Sequence, residues 1–173
     1  MTARLEGRVA LVVGGGEGIG RAICGAYEGA AVGVVDIRQE TAEKAAEEIR
    51  AAGGKAIAIT GNAGKRDDVV AAARAAEEAF GPVTVLVNNA MWNRYGPLED
   101  QSEETIGRMI DVGFKGVIWG YQAVVGQMRA AGGGAIVNIA SPSAVLAMKH
   151  GIMYSAIKAT VAAATRNAAA EFG

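Results

Sequence analysis

Cysteine and histidine are nearly absent: the chain has one of each, Cys24 and His150. One thiol cannot close an intramolecular disulfide and is too few for a zinc or iron–sulfur site, so no metal centre is expected. That economy suits a reducing cytoplasm. Cys24, on the first predicted helix, reads as a small packed side chain, and His150 as a solvated loop residue. An excess of one charge is also missing. The 17 Lys and Arg stand against 18 Asp and Glu, for a formal net charge of −1. No charge field is left to attract nucleic acid or an anionic membrane. Long hydrophobic runs are lacking too: the opening MTARLEGRVALVVGGG breaks into glycines before its apolar run could span a bilayer, and it has no signal-peptide cleavage pattern. A soluble cytoplasmic protein is expected. Nor does a linker, low-complexity tract or short-period repeat interrupt the 173 residues, 51% of them hydrophobic, so the whole chain reads as a single domain with a real core.

What is present alternates. Short β-branched runs at Arg8–Val13, Ala31–Asp36, Lys55–Thr60, Val83–Asn88 and Ala135–Ile139 predict strands. Between and after them, Ala-rich charged stretches of helical period predict helices over Gly18–Gly29, Glu40–Ala52, Arg66–Phe80, Ser102–Ala131 and Tyr154–Phe172. Strands apolar on both faces and separated by helices call for an α/β architecture: a Rossmann-like, doubly wound parallel sheet with helices on both faces. Gly53-Gly54, Gly81-Pro82 and Gly132-Gly133-Gly134 each fall where a helix must stop before the next strand.

Between the first strand and the first helix stands Val13-Gly14-Gly15-Gly16-Glu17-Gly18-Ile19-Gly20. Glycines there permit a tight turn and let a pyrophosphate approach the amides at a helix N-terminus, where the dipole favours an anion. Gly14, Gly18, Ile19 and Gly20 are therefore candidate cofactor-binding residues. The motif alone is weak. It gains force because the second strand ends at Asp36, the acidic residue expected to hydrogen-bond an adenosine ribose. A phosphate on that ribose would meet the Asp36 carboxylate and that of Glu17, so NAD is expected over NADP. Arg38 argues the other way, since an arginine nearby can hold a 2′-phosphate. The plainer reading is a glycine-rich turn followed by a surface aspartate.

Ser141, Tyr154 and Lys158 are spaced S-x12-Y-x3-K. A tyrosine and a lysine four residues apart share a helix face, so the ammonium can sit beside the phenol. A nearby cation favours the phenolate, bringing a group that titrates near pH 10 toward the range of a general base. Ser141 would arrive from a separate loop and donate a hydrogen bond to the reacting oxygen. The plainer alternatives are a surface Tyr–Lys pair and a turn serine before Pro142. Ser143 is a lesser polar candidate, and Trp92, Asn93, Arg94 and Tyr95 form either part of a substrate pocket or a surface loop.

With both motifs in register, the sequence resembles the classical, single-domain type of short-chain dehydrogenases/reductases, from about Gly7 to its last residue. The resemblance implies an NAD(P)-dependent oxidoreductase that passes a hydride between the nicotinamide and a carbon bearing a secondary alcohol or ketone, with Tyr154 handling the proton. It further implies that Tyr154 and Lys158 contact the cofactor, Lys158 through the nicotinamide ribose. Asn62 replaces an Asp that usually contacts adenine, and Asn88-Asn89-Ala90 stabilises the central sheet while Asn89 flanks the cofactor. The implied partners are a small alcohol or ketone and, through the long helices around Met109–Met128 and Tyr154–Phe172, further copies of the chain in a dimer or tetramer.

Four departures qualify the resemblance. Val13 stands where a Thr is common, Met91 where Asn-Asn-Ala is usually followed by Gly, and Gly113 where many relatives place an Asn that holds a water in a proton relay. The fourth is length: relatives continue beyond the Tyr154 helix with more strands and a substrate-covering loop, so this sequence is expected to be a truncated form whose sheet lacks its C-terminal strand or strands. Gly113 and the short C-terminus motivate a second expectation, an NAD-binding sensor or scaffold without catalysis. A third, epimerisation or dehydration of a nucleotide sugar, would call for a G-x-x-G-x-x-G spacing that is not found here.

Overall fold

The computed structural model describes residues 4–173; the first three residues of the N-terminal segment read above lie outside them. Five strands form one parallel sheet: β1 (Val9–Val13), β2 (Ala31–Asp36), β3 (Lys55–Thr60), β4 (Val85–Asn88) and β5 (Ala135–Asn138), in the order β3-β2-β1-β4-β5. Every residue of β1 and β4 is buried, as expected of central strands apolar on both faces. Helices α1 (Gly18–Ala26) and α2 (Gln39–Ala51) cover one face, packing Cys24, Ala42 and Ala46 against Val12, Val32 and Val34. Helix α3 (Arg66–Phe80) lies on the other face, where Val69, Ala72, Ala73 and Ala76 form the i, i+3, i+4, i+7 stripe of a half-buried helix. The doubly wound α/β fold read from the sequence is therefore the fold observed.

The predicted helix over Ser102–Ala131 is three pieces. Ser102 caps α4 (Glu103–Ile110), its Oγ accepting from Thr105 N at 3.2 Å; a π-helical turn follows at Asp111–Lys115, and then α5 (Gly116–Ala130). Tertiary contacts account for the wider turn. A Cβ on Gly113 would come 2.5 Å from Met91 Sδ, and one on Gly116 would come 2.8 Å from the Ala63 carbonyl. The chain widens where two glycines let it press against neighbours, and such π turns often sit beside functional sites.

Helix α6 (Ile152–Phe172) starts two residues before Tyr154 and packs on the same face as α3 and α5. The first helix stops at Ala26 rather than Gly29, because Tyr27 to Gly29 form the turn into β2 and Gly29 takes a φ of 86°. Among the described residues β5 is an edge strand, with Val137 44% exposed on the face that carries α1 and α2.

The strands' C-terminal ends all point the same way. The order reverses between β1 and β4, and the crevice outside a parallel sheet at such a switch point is where ligands bind.

Candidate active site

The glycine turn leaves β1 at that switch point. The amides of Gly14 and Gly15 both donate to the Val35 carbonyl, at 2.8 and 2.9 Å. Gly14 takes a φ of 81°, and a Cβ there would lie 2.7 Å from the Ala90 backbone. At Gly20 the approach is closer still: a Cβ would fall 2.0 Å from the Gly14 carbonyl oxygen. That oxygen also accepts a 2.8 Å hydrogen bond from Asn89 Nδ2, so the turn is clamped between the first turn of α1 and the end of β4. Glu17 occupies the N-cap of α1, and no side chain caps the first amides of the helix. Those unpaired donors, at the positive end of the helix dipole, suit an anion.

Gly20→Ala therefore forces the turn open. The expected outcome is a loss of about 1–3 kcal/mol of stability, read as a lower melting temperature, together with loss of NADH binding. Wild-type affinity in a stable Gly20→Ala variant would contradict this reading of the turn.

Asp36, at the end of β2, lies beside the same turn. Its Oδ2 accepts from Gly16 N at 3.2 Å and its Oδ1 from Arg38 N at 3.1 Å, which fixes the carboxylate while each oxygen keeps capacity for another donor. Arg38 pairs with Glu17, both side chains being mostly exposed. An exposed pair contributes less than about 1 kcal/mol, so it biases the guanidinium away from a ribose phosphate without locking it.

Asn62, after β3, uses its Oδ1 to accept from Gly64 N at 2.9 Å, while its own amide N–H donates to Asp68 Oδ2 at 2.9 Å. Ile19 stands at the rim of the turn, 63% exposed. A cleft of about 1390 Å³ joins these positions, lined by Gly14, Asp36, Asn62, Asn89, Met91 and Asp111 among others. Uncapped amides, glycines that a Cβ would block and a carboxylate lining the same cleft fit a dinucleotide.

Ser141, Tyr154 and Lys158 do not line that cleft; they gather at the end of β5 and the start of α6. Lys158 is 5% exposed, its Nζ donates to the Ile139 carbonyl at 2.5 Å, and the same Nζ lies 5.9 Å from the centroid of the Tyr154 ring. No carboxylate pairs with it among the described residues, and burial pushes its pKa below the usual lysine value.

Ser141 opens a 3₁₀ turn at Pro142–Ala144 that packs against α6. Its Oγ accepts from Ser143 N at 3.2 Å and from Ser143 Oγ at 2.9 Å. An oxygen whose acceptor sites are taken leaves its own proton to donate outward. The minor candidate Ser143 thus aims Ser141.

A chain of hydrogen bonds to backbone carbonyls connects the two clusters across the strand ends. Asn89 Nδ2 holds the Gly14 carbonyl, Ile139 N donates to the Asn88 carbonyl at 3.0 Å, and the Ile139 carbonyl holds Lys158. The side chain of Asn88 donates to Asn138 Oδ1 at 2.8 Å, and Asn138 in turn donates to Tyr121 and Thr165, tying β4 and β5 to α5 and α6. Asn88 supports the sheet, and Asn89 lines the cleft.

Two features are absent from the sequence reading. Tyr95 meets Tyr154 edge to face, with ring centroids 5.5 Å apart and an interplanar angle of 69°. Met91 and Gly113, read as separate departures, are one packing unit in which the thioether takes the room a side chain at Gly113 would need. The remaining readings stand: Cys24 is buried with its thiol pushed up to about 12 by desolvation, and His150 is exposed in the loop before α6.

The family described as short chain dehydrogenase matches residues 8–173. The chain belongs to the short-chain dehydrogenase family. It is 37% identical over 172 residues to a D-threitol dehydrogenase of Mycolicibacterium smegmatis, covering 98% of this chain and 66% of that protein. It is also 37% identical over 175 residues to a cyclohexanol dehydrogenase of an Acinetobacter species, covering 99% of this chain and 70% of the other. Among solved structures, a 7α-hydroxysteroid dehydrogenase complexed with NADH and 7-oxo glycochenodeoxycholic acid superposes with a TM-score of 0.94 at 31% identity, covering 99% of this chain and 68% of that one. This short-chain dehydrogenase sequence thus spans about two thirds of the length of such relatives. No helix of the described residues is long and apolar enough to cross a membrane.

Proposed function

We propose that the chain carries the cofactor and proton-handling machinery of an NAD-dependent oxidoreductase that interconverts a secondary alcohol and a ketone. The observation that carries this reading is the buried Lys158 ammonium, without a carboxylate partner and 5.9 Å from the Tyr154 ring centroid. A buried cation beside the ring of a tyrosine is the pairing that a general base for alcohol oxidation calls for. Gly14, Gly18, Ile19 and Gly20 would hold the pyrophosphate, Asp36 the adenosine ribose, Asn62 and Asn89 the flanks, and Tyr154 with Lys158 the nicotinamide ribose. When bound, the nicotinamide supplies the hydride acceptor or donor. Tyr154 takes the hydroxyl proton, Ser141 donates to the substrate oxygen, and Lys158 stabilises the phenolate while its carbonyl bond to Ile139 fixes its position. D-threitol dehydrogenase and cyclohexanol dehydrogenase, as relatives, support an alcohol as the substrate. A single domain, a cytoplasmic location and a homo-oligomeric state belong to the same proposal.

The cofactor choice rests on Asp36 and on the Arg38–Glu17 pair. Titration by nicotinamide fluorescence should show NADH binding about tenfold or more tighter than NADPH, a difference of about 1.4 kcal/mol. The reverse order would overturn the role given to Asp36.

A non-catalytic NAD-binding sensor or scaffold is the second reading, favoured by the Met91 thioether filling the space at Gly113, one helix contact from Lys158 through Ile157. Bound NADH without turnover of any secondary alcohol, in this chain or a longer natural form of it, would select that reading.

A further inference from the structure

The loop after β4 is tied to the segment before α6. Gly96 N donates to the His150 carbonyl at 3.1 Å, and His150 is the one non-glycine residue with positive φ among those described, at 60°. A left-handed histidine is disfavoured unless its surroundings hold it, and such strain tends to gather at ligand sites. The strap sets Tyr95 against Tyr154 while leaving Tyr95 53% exposed. Partial burial raises the Tyr95 phenol above its usual pKa, Tyr154 adds to the rise, and a hydrogen bond with the Asn93 side chain offsets part of it.

The segment strapped to Tyr95 is itself apolar and exposed: Leu146 at 64%, Met148 at 36% and Ile152 at 58%. Met148 folds back over Gly151, where a Cβ would meet its Cε at 2.3 Å, so its side chain lies at the start of the helix that carries Tyr154. Exposed aliphatic side chains concentrated beside a candidate base are characteristic of a ligand surface.

We propose that Tyr95 is the specificity-determining wall of the substrate site and takes an apolar ring attached next to the carbinol carbon of a secondary alcohol. This deepens the reading of Tyr154 as the base and rests on it. The Tyr95 ring is positioned by its edge contact, so a substrate hydroxyl brought to Tyr154 carries its neighbouring substituent past Tyr95, with the exposed apolar segment before α6 close by in the chain. A ring there gains apolar contact. A polyol would instead desolvate hydroxyls against aliphatic carbon, where they lose their partners.

The test compares 1-phenylethanol with butane-2,3-diol as substrates of the wild type, Tyr95→Phe and Tyr95→Ala. The ratio of their kcat/KM values should favour 1-phenylethanol in the wild type, hold in Tyr95→Phe and fall about 30-fold in Tyr95→Ala, with the melting temperature held because the side chain is half exposed. An equal loss on both substrates, or no change in the ratio, would overturn the proposal. Calorimetric binding of acetophenone to the NADH-loaded chain provides a readout independent of turnover. Weaker binding in Tyr95→Ala supports the wall, and absent or equal binding overturns it. Acetophenone binding that depends on Tyr95, in a protein that oxidises neither alcohol, would sink the dehydrogenase chemistry and leave the wall standing.

Discussion

Tyr154→Phe is expected to lower turnover of secondary alcohols by about 10³-fold, within the range that a positioned general acid–base contributes. The substitution removes one hydroxyl and keeps the ring, so the edge contact with Tyr95 and the position of Lys158 beneath the ring are preserved. Only the proton path is cut. NADH affinity should shift by less than about tenfold, since at most one hydrogen bond to the ribose is lost. Steady-state kinetics and a fluorescence titration on the same preparation separate the two effects. Turnover equal to wild type would remove Tyr154 from the chemistry, and simultaneous loss of NADH binding and the fold would make it a structural residue.

Lys158→Met should produce a catalytic loss and a stability gain together. Turnover should fall at least about 10²-fold, because Tyr154 loses the buried cation beside its ring. Stability moves the other way. Burial lowers the Lys158 pKa from its ordinary 10.5, so folding disfavours the charged form. The linkage has a definite sign: a group whose pKa is depressed by folding contributes stability that is present above its unfolded pKa and is lost as pH falls through its folded one.

Below its lowered pKa the wild type therefore carries the cost of a buried ammonium, and between that pKa and 10.5 it regains stability as pH rises. Methionine keeps the apolar stem and removes the charge, at the expense of the hydrogen bond to the Ile139 carbonyl. The expected result is a melting temperature about 2–4 °C higher than wild type at pH 7, with the gap closing toward pH 10. Thermal melts at the two pH values check it. A lower melting temperature at pH 7 would mean that the ammonium holds the β5–α6 junction together rather than being tolerated there for function.

The fold was legible because its physics is local. Central strands such as β1, buried along their whole length, must be apolar on both faces, and that pattern separates a parallel sheet from an alternating antiparallel one. The bounds of α3 and the start of a helix at Ser102 were equally readable. The π turn at Asp111–Lys115 was not, because its cause is the approach of Gly113 to Met91 and of Gly116 to Ala63, pairs separated by more than twenty residues.

The site divides along the same line. The sequence reading placed Gly14 and Gly20 at the first strand–helix turn, Asp36 at the end of the second strand and Tyr154 and Lys158 on the last helix, which are their positions in the fold. Spacing is silent on orientation. It could not foresee that the Asn62 carbonyl oxygen turns to Gly64, that Ser143 directs Ser141, or that Arg38 engages Glu17. Tyr95 was left between pocket wall and surface loop for the same reason: its contact with Tyr154 lies beside a backbone bond from Gly96 to His150, some fifty residues further along the chain.

Transfer of label is the most direct test that these residues serve a hydride transfer. A secondary alcohol deuterated at its carbinol carbon is incubated with NAD⁺ and the protein, and the reduced cofactor is weighed by mass spectrometry. The expected result is one deuterium recovered in the nicotinamide, absent when Tyr154→Phe replaces the wild type. Unlabelled cofactor, from a protein that still binds NADH and in its longest natural form, would contradict it.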